Sequence, residues 1–401
     1  MDMKDKPINI HIYNTLCSDR LFDELFNNYN LQGGSAVQKF YKLLVKGFSS
    51  IENVNVEVNT YLPIYANNRK KIIWKSQKDV EDKIQYSSIP SINLPIIRNA
   101  IASSYVFFKI LLSRFPSDTN NLVLVDFLRY TMSIAVILAC KLRGIKVLTV
   151  ATDMPGESIG KPSFKDRVKS KLLLMLSYDY YVSLTKQLDE AINKKNKPSL
   201  IIEGFADVEL MSRDNSFQNK FDQRVLIYAG GLDEAYGLRN LVEAFKTVSD
   251  NDLALWLYGT GPFVEDIKEY TKHDARIQYK GVVPNSELVD VLMRATLLIN
   301  PRFTHEEYTK YSFPSKNMEY MSTGTPLLTT KLPGIPDDHF PYIYTIDRAT
   351  SEGIQESFKK ILSYTREEIH AFGCSAKNYI MREKNNVKQA EQIIQLIQES
   401  N

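Results

Sequence analysis

The sequence predicts an α/β protein made of two doubly wound, Rossmann-like domains. Three observations carry that expectation. At 401 residues the chain is longer than one hydrophobic core organises well. Short, continuously apolar runs recur along it, as parallel strands buried on both faces require. The segments between them place apolar residues at helical spacing.

Taken in order, the strand-like runs are INIHIY (from Ile8), NLVLVDF (from Asn121) and KVLTVAT (from Lys146), then VLIYAGG (from Val225), LALWLYG (from Leu253) and TLLINP (from Thr296). Gly237 to Val248 is typical of the intervening helices, with Leu238, Leu241, Val242, Phe245 and Val248 on one face. The polar, aperiodic ADVELMSRDNSFQNKFD, from Ala206, separates SLIIEG from RVLIYAG and marks the boundary. The expected domains are 1–205 and 223–380. A final helix over 381–401, with Val387, Ala390, Ile393, Ile394 and Ile397 as an apolar stripe, is expected to cross back to the first domain.

Composition narrows the function classes. Hydrophobic residues make up 44% and charged residues 24%, and a formal net charge of +3 is too small to imply nucleic-acid binding. Cys17, Cys140 and Cys374 form neither a CxxC pair nor an even framework, which predicts reduced thiols, a cytoplasmic location and no zinc site. MDMKDKPINIHIYN passes from polar residues into a strand, and no apolar run is long enough to span a bilayer. Any membrane contact is expected to be peripheral, at the inner face. Two segments suggest one: KPSFKDRVKSKLLLMLSYDYY (from Lys161), and Ile96 to Phe115, where Arg98, Lys109 and Arg114 mix with Val106, Phe107, Phe108, Ile110, Leu111 and Leu112. Core-packed helices with solvated lysines account for the same letters.

The most informative stretch is SFPSKNMEYMSTGTPLLTT, from Ser312. Pro314 and Ser315 read as a helix start, Gly324 as its C-terminal cap, and Pro326 as the entry to a buried strand. Glu319 then sits within a short helix, towards the crevice where doubly wound sheets bind nucleotides. A carboxylate there accepts two hydroxyl hydrogen bonds, as a ribose offers. A glutamate on a solvated helix face is the ordinary alternative.

Landmarks follow in order from Val225 to Pro336: AGGL with Gly230 and Gly231, Gly237 opening a helix, GTGP with Gly259 and Gly261, KGVVPNSEL with Val282, the Asn300-Pro301 strand end, the Glu319 helix, and LPGIP. Together they resemble the nucleotide-binding domain of glycosyltransferase family four, which has the GT-B fold and retains anomeric configuration. That resemblance implies two Rossmann-like domains facing across a cleft, with C-terminal helices packing back on the N-terminal one. It implies that Glu319 binds the donor ribose, that the glycine turns approach the diphosphate, and that the turn at Gly281 to Val283 lies beside the base. Gly33 and Gly34, in LQGGSAVQKF, resemble the family loop that approaches the phosphates from the other domain. A flexible connector reads the same way. Free amides at Gly259 and Gly261 are candidates to face an anion.

Departures from the family pattern matter equally. Gly231 stands where an arginine is usual and Tyr236 where a lysine is usual. Eight positions before Glu319, where the family has a second glutamate, 319 − 8 gives Tyr311. Arg302 and Lys316 are the candidate replacements for the missing cations, since a guanidinium or an ammonium suits a diphosphate. Surface basic residues are the alternative. His305, Glu306 and Glu307 lie in the adjoining loop, where either glutamate is a candidate for the sugar or else plain polar surface. On the acceptor side, Asp126 and Asp153 end strands; each is a candidate catalytic carboxylate or a helix cap. Asp250-Asn251-Asp252 spells a DxD metal motif but precedes a buried strand in a turn.

The expected activity is transfer of a sugar from a UDP- or GDP-linked donor to a glycan or lipid-linked glycan acceptor, in surface-polysaccharide synthesis, without a metal. A sugar-nucleotide 2-epimerase and a non-catalytic glycan-binding or partner subunit remain as rivals.

Overall fold

The structure is a computed structural model that describes residues 6–29, 35–65, 68, 70–95, 97–155, 164–304 and 307–400. It divides into two compact units, one of residues 1–205 with 386–401, the other of residues 206–385.

Unit 1 runs through β1 (Ile8–Asn14), α1 (Asp19–Asn28), α2 (Ser35–Ser49), β2 (Val54–Thr60), β3 (Ile73–Trp74), β4 (Lys78–Glu81), β5 (Ile84–Ser88), β6 (Ser91–Ile92), α3 (Ile97–Leu112), β7 (Asn120–Asp126), α4 (Tyr130–Arg143), β8 (Lys146–Ala151), α5 (Phe164–Leu174), β9 (Tyr180–Ser183), α6 (Lys186–Ile192) and β10 (Ser199–Ile201). Its main sheet has the order β10-β9-β8-β7-β1-β2-β5-β4. Every pairing in it is parallel except the hairpin of β4 on β5. The strands Ile8 to Asn14 and Asn120 to Asp126 are buried at five of seven positions each, as parallel strands covered on both faces are.

Unit 2 holds β11 (Arg224–Ala229), α7 (Leu238–Lys246), β12 (Leu253–Tyr258), α8 (Val264–His273), β13 (Ile277–Gly281), α9 (Asn285–Arg294), β14 (Leu297–Asn300), α10 (Ser315–Thr323), β15 (Leu327–Thr330), β16 (Tyr344–Ile346), α11 (Ser351–Leu362) and α12 (Arg366–Glu383). The strand order is β13-β12-β11-β14-β15-β16, all parallel. Counted from the first strand of the unit this is 3-2-1-4-5-6, the doubly wound order of dinucleotide-binding sheets. Its core joins Leu226, Leu255, Leu257, Ile299 and Leu328 to Leu241 and Phe245 of α7 and to Ile354 and Phe358 of α11.

Of the C-terminal helices only α13 (Asn386–Glu399) belongs to unit 1. It lies on α2, and Ala390, Ile393, Ile394 and Ile397 join Leu44, Phe48 and Ile10 in one core. Burying three isoleucines is worth about 1.5–3 kcal/mol each. Asn386 donates to the Leu43 carbonyl at 3.1 Å, and Gln389 to that of Gly204 at 2.5 Å. Gly47 has no side chain because α13 runs so close: a Cβ there would lie 2.2 Å from the Asn386 carbonyl oxygen. The polar stretch after Ala206 is not bare linker, since it forms two short 3-10 turns, Val208–Ser212 and Phe217–Asn219.

Candidate functional site

The order of unit 2 reverses between β11 and β14, so their carboxyl ends flank the switch point where such a sheet leaves a crevice. β11 runs out into Gly230 and Gly231, and β14 into Pro301 and Arg302. α10 is fixed against both strands. The Tyr320 hydroxyl accepts from the Ala229 amide at 2.8 Å and donates to the Ala229 carbonyl at 3.0 Å. Asn300 of β14 donates to Asn317 at 2.8 Å. Pro314 starts the helix and Gly324, at φ 76°, ends it in the left-handed conformation.

That placement brings Lys316 over the first glycine turn. Its Nζ lies 2.8 Å from the Tyr228 hydroxyl, which itself donates to the Gly231 carbonyl at 2.8 Å. A Cβ on Gly230 would stand 2.1 Å from that Nζ, so the bare backbone at 230 is what admits the ammonium. Arg302 stacks on the Tyr236 ring at 4.2 Å, and Lys316 reaches the same ring at 5.4 Å. Arg302 also donates to the Tyr308 hydroxyl at 3.5 Å, while its Nε is buried without a partner. Burial, and after it the like charge of Arg302, pulls the Lys316 ammonium down to about 7, with Glu319 opposing. The structure thus holds two cations side by side on one ring. Glu319, three positions along α10 from Lys316 and partly buried, shares that face of the helix.

The two glycine turns dovetail. A Cβ at Gly259, which has φ +128°, would stand 1.8 Å from the Gly230 carbonyl oxygen; one at Gly261 would stand 2.2 Å from that of Leu232. The Gly230 amide donates to Tyr258 and the Gly259 amide to the Gly281 carbonyl at 2.7 Å. The amide of Gly259, read from the sequence as free for an anion, is therefore spent within the fold. Val282 follows β13 and is exposed.

Other candidates divide. Gly33, Gly34, His305 and Glu306 lie outside the described residues. Glu307 is exposed and pairs with Lys310 at 2.8 Å. Asp250 is tied to Arg224 and accepts from the Asp252 amide, an arrangement that shapes the turn into β12. In unit 1, whose order reverses between β1 and β7, Asp126 sits at the switch point. It is buried, accepts from the Leu128 amide at 3.0 Å and faces Arg129 at 3.7 Å; burial raises its carboxyl while Arg129 opposes. Asp153, two residues beyond β8, is exposed. The segment Ile96 to Phe115 divides: Phe108, Leu112 and Arg114 are exposed, whereas its other two basic residues are engaged within the fold. Arg98 is buried, bonding the carbonyls of Leu62 and Ile64, and Lys109 pairs with Glu57 at 2.8 Å. Val106 and Ile110 are core.

Doubly wound sheets of this kind form a class that takes its ligands at the switch point, and here two cations gather there. Comparison with known proteins makes this more specific: residues 223–363 match the family described as glycosyl transferases group 1, so unit 2 is a glycosyltransferase domain and the enzyme class is glycosyltransferase. Solved structures similar over the whole chain have the GT-B fold. Sucrose-phosphate synthase from Thermosynechococcus elongatus is 13% identical at a TM-score of 0.67, covering 98% of each chain. Anabaena HepE in complex with UDP is 10% identical at 0.66, over 98% of this chain and 100% of that one. The lipopolysaccharide outer core galactosyltransferase WaaB is 14% identical at 0.62, over 98% and 100%. No curated protein matches in sequence.

Tyr228, Tyr236, Tyr308 and Tyr320 were not predicted to build the site. Their partners lie up to 91 positions away, and no local spacing marks such pairs.

Proposed function

We propose that this chain moves a sugar from a nucleoside diphosphate sugar, UDP- or GDP-linked, to a glycan or lipid-linked glycan acceptor, with retention, in surface-polysaccharide synthesis and without a metal. One observation carries the reading: Lys316 and Arg302 converge on Tyr236 beside the Gly230 turn, at the switch point of a glycosyltransferase domain. In this reading Glu319 accepts hydrogen bonds from the ribose hydroxyls. Lys316 and Arg302 hold the diphosphate and stabilise it as charge develops on departure. Tyr228 and Tyr236 position those cations. HepE, solved with UDP and with UDP-glucose, supports a uridine donor by analogy. On the acceptor side Asp126, at the end of β7, and Asp153, two residues beyond β8, are the candidate carboxylates.

Calorimetric titration of UDP, GDP and ADP, free and as sugar conjugates, into wild type and Glu319→Ala tests this. Tight binding of one nucleotide, weakened at least tenfold by the substitution, is the expected result. Absence of binding to all three would overturn it in favour of a non-catalytic partner subunit, the reading that Gly231, Tyr236 and Tyr311 favour by standing where the related domains carry charge. Products formed from the donor without acceptor would point instead to an epimerase.

A further inference from the structure

α5 turns an apolar stripe to solvent. Phe164 is 80% exposed, Val168 44%, Leu172 38% and, in the closing turn, Met175 72%. At about 100° per residue these four fall within an arc of about 80°. Leu173, on the opposite side, is 1% exposed and packs into unit 1. The helix is therefore anchored by one face and carries a second apolar face that the described residues of unit 1 leave exposed. Arg167 and Lys171 flank the stripe on one side and Lys169 on the other, all exposed. Phe164 to Leu174 contains a single acidic residue, Asp166, against Lys165, Arg167, Lys169 and Lys171.

We propose that this face of α5 docks unit 1 on an anionic lipid surface, with Phe164, Val168, Leu172 and Met175 entering the headgroup boundary and Arg167, Lys169 and Lys171 meeting the lipid phosphates. An apolar face between basic flanks is the form of a helix lying in the plane of a membrane. No described helix is long and apolar enough to cross one. The charges select this occupant over a second copy of the chain, because a symmetric pairing of the stripe would set Arg167 and Lys171 against their own counterparts. The helix also sits close to the candidate acceptor edge: Lys169 is near enough to favour the charged form of Asp126 at the end of β7. A bilayer on α5 would present lipid-borne hydroxyls to that edge. The proposal does not rest on the donor-site reading, since docking needs no nucleotide.

Co-sedimentation of the full chain with phosphatidylcholine vesicles, with and without phosphatidylglycerol, tests it. Wild type is expected to pellet with the anionic vesicles only and to be released by high salt. Phe164→Ser with Met175→Ser, and separately Arg167→Gln with Lys171→Gln, should each weaken binding at least tenfold while thermal unfolding is unchanged. As a measurement that leaves the stripe nearly intact, Met175→Cys in a Cys374→Ser background, carrying an environment-sensitive fluorophore, should shift to the blue with anionic vesicles. Failure of wild type to pellet, unaltered binding in both double variants, or no fluorescence shift overturns the proposal. So does a wild-type dimer in analytical ultracentrifugation that the serine variant abolishes.

Discussion

Lys316 occupies a place that is unfavourable to its charge. Its ammonium has a phenol oxygen for a partner and an arginine for a neighbour, and burial lowers it to about 7. In the unfolded chain it titrates near the ordinary lysine value, so between about 7 and that value the unfolded chain holds the extra proton. The cost to stability is full below pH 7 and shrinks as pH rises. Lys316→Met should therefore raise Tm at neutral pH while lowering nucleoside diphosphate affinity by about 10- to 100-fold, the range for charge-assisted hydrogen bonds; scanning calorimetry and titration read the two. A diphosphate favours the ammonium, so binding above pH 7 should take up a proton. The heat of binding would then vary with buffer ionisation enthalpy in wild type and not in Lys316→Met, and affinity would fall as pH rises. The paired departures at 231 and 236 are also linked. A Cβ on Gly231 would stand 3.0 Å from the Tyr236 ring, which Arg302 already covers. Gly231→Arg alone should weaken binding by displacing that ring, and Gly231→Arg with Tyr236→Lys should recover it. The ring contact ties the two positions together.

At the scale of elements, the glycine turns are the rigid part of the site. Gly259 holds φ +128° against the Gly230 carbonyl, a conformation a side chain resists and a space it cannot enter. Gly259→Ala should cost at least about 2 kcal/mol, the scale of backbone strain added to a clash, read as a lowered denaturant midpoint. In unit 2 the strands β11, β12 and β14 were legible as full apolar runs, and α7 and α10 were marked by a glycine, Gly237 before the one and Gly324 after the other. In unit 1 the strand Val54–Thr60 was passed over, because its amino-terminal half alternates with exposed polar residues and its apolar face appears only against β1 and β5. The membrane-facing and core-packed readings of Ile96 to Phe115 stayed undivided in the sequence for a related reason. Letters do not say that Arg98 turns inward to loop carbonyls while Phe108 turns out.

For the whole molecule, periodicity is lost after Ala206, where the chain passes from one unit to the other, whereas the stripe of the last helix named no partner and only the family resemblance did. α13 completes unit 1 with residues that follow all of unit 2. Ending the chain after Asn385 should unfold unit 1 cooperatively while unit 2 still binds nucleotide, a split that calorimetry would register as loss of one transition. The same arrangement bears on how the protein is made. A ribosome delivers residues 1–205 first, yet the groove on α2 that Ala390, Ile393 and Ile394 fill stays open while the 180 residues of unit 2 emerge. The first unit begun is the last finished, so nascent unit 1 carries an apolar seam through most of synthesis, the kind of surface that chaperones shield.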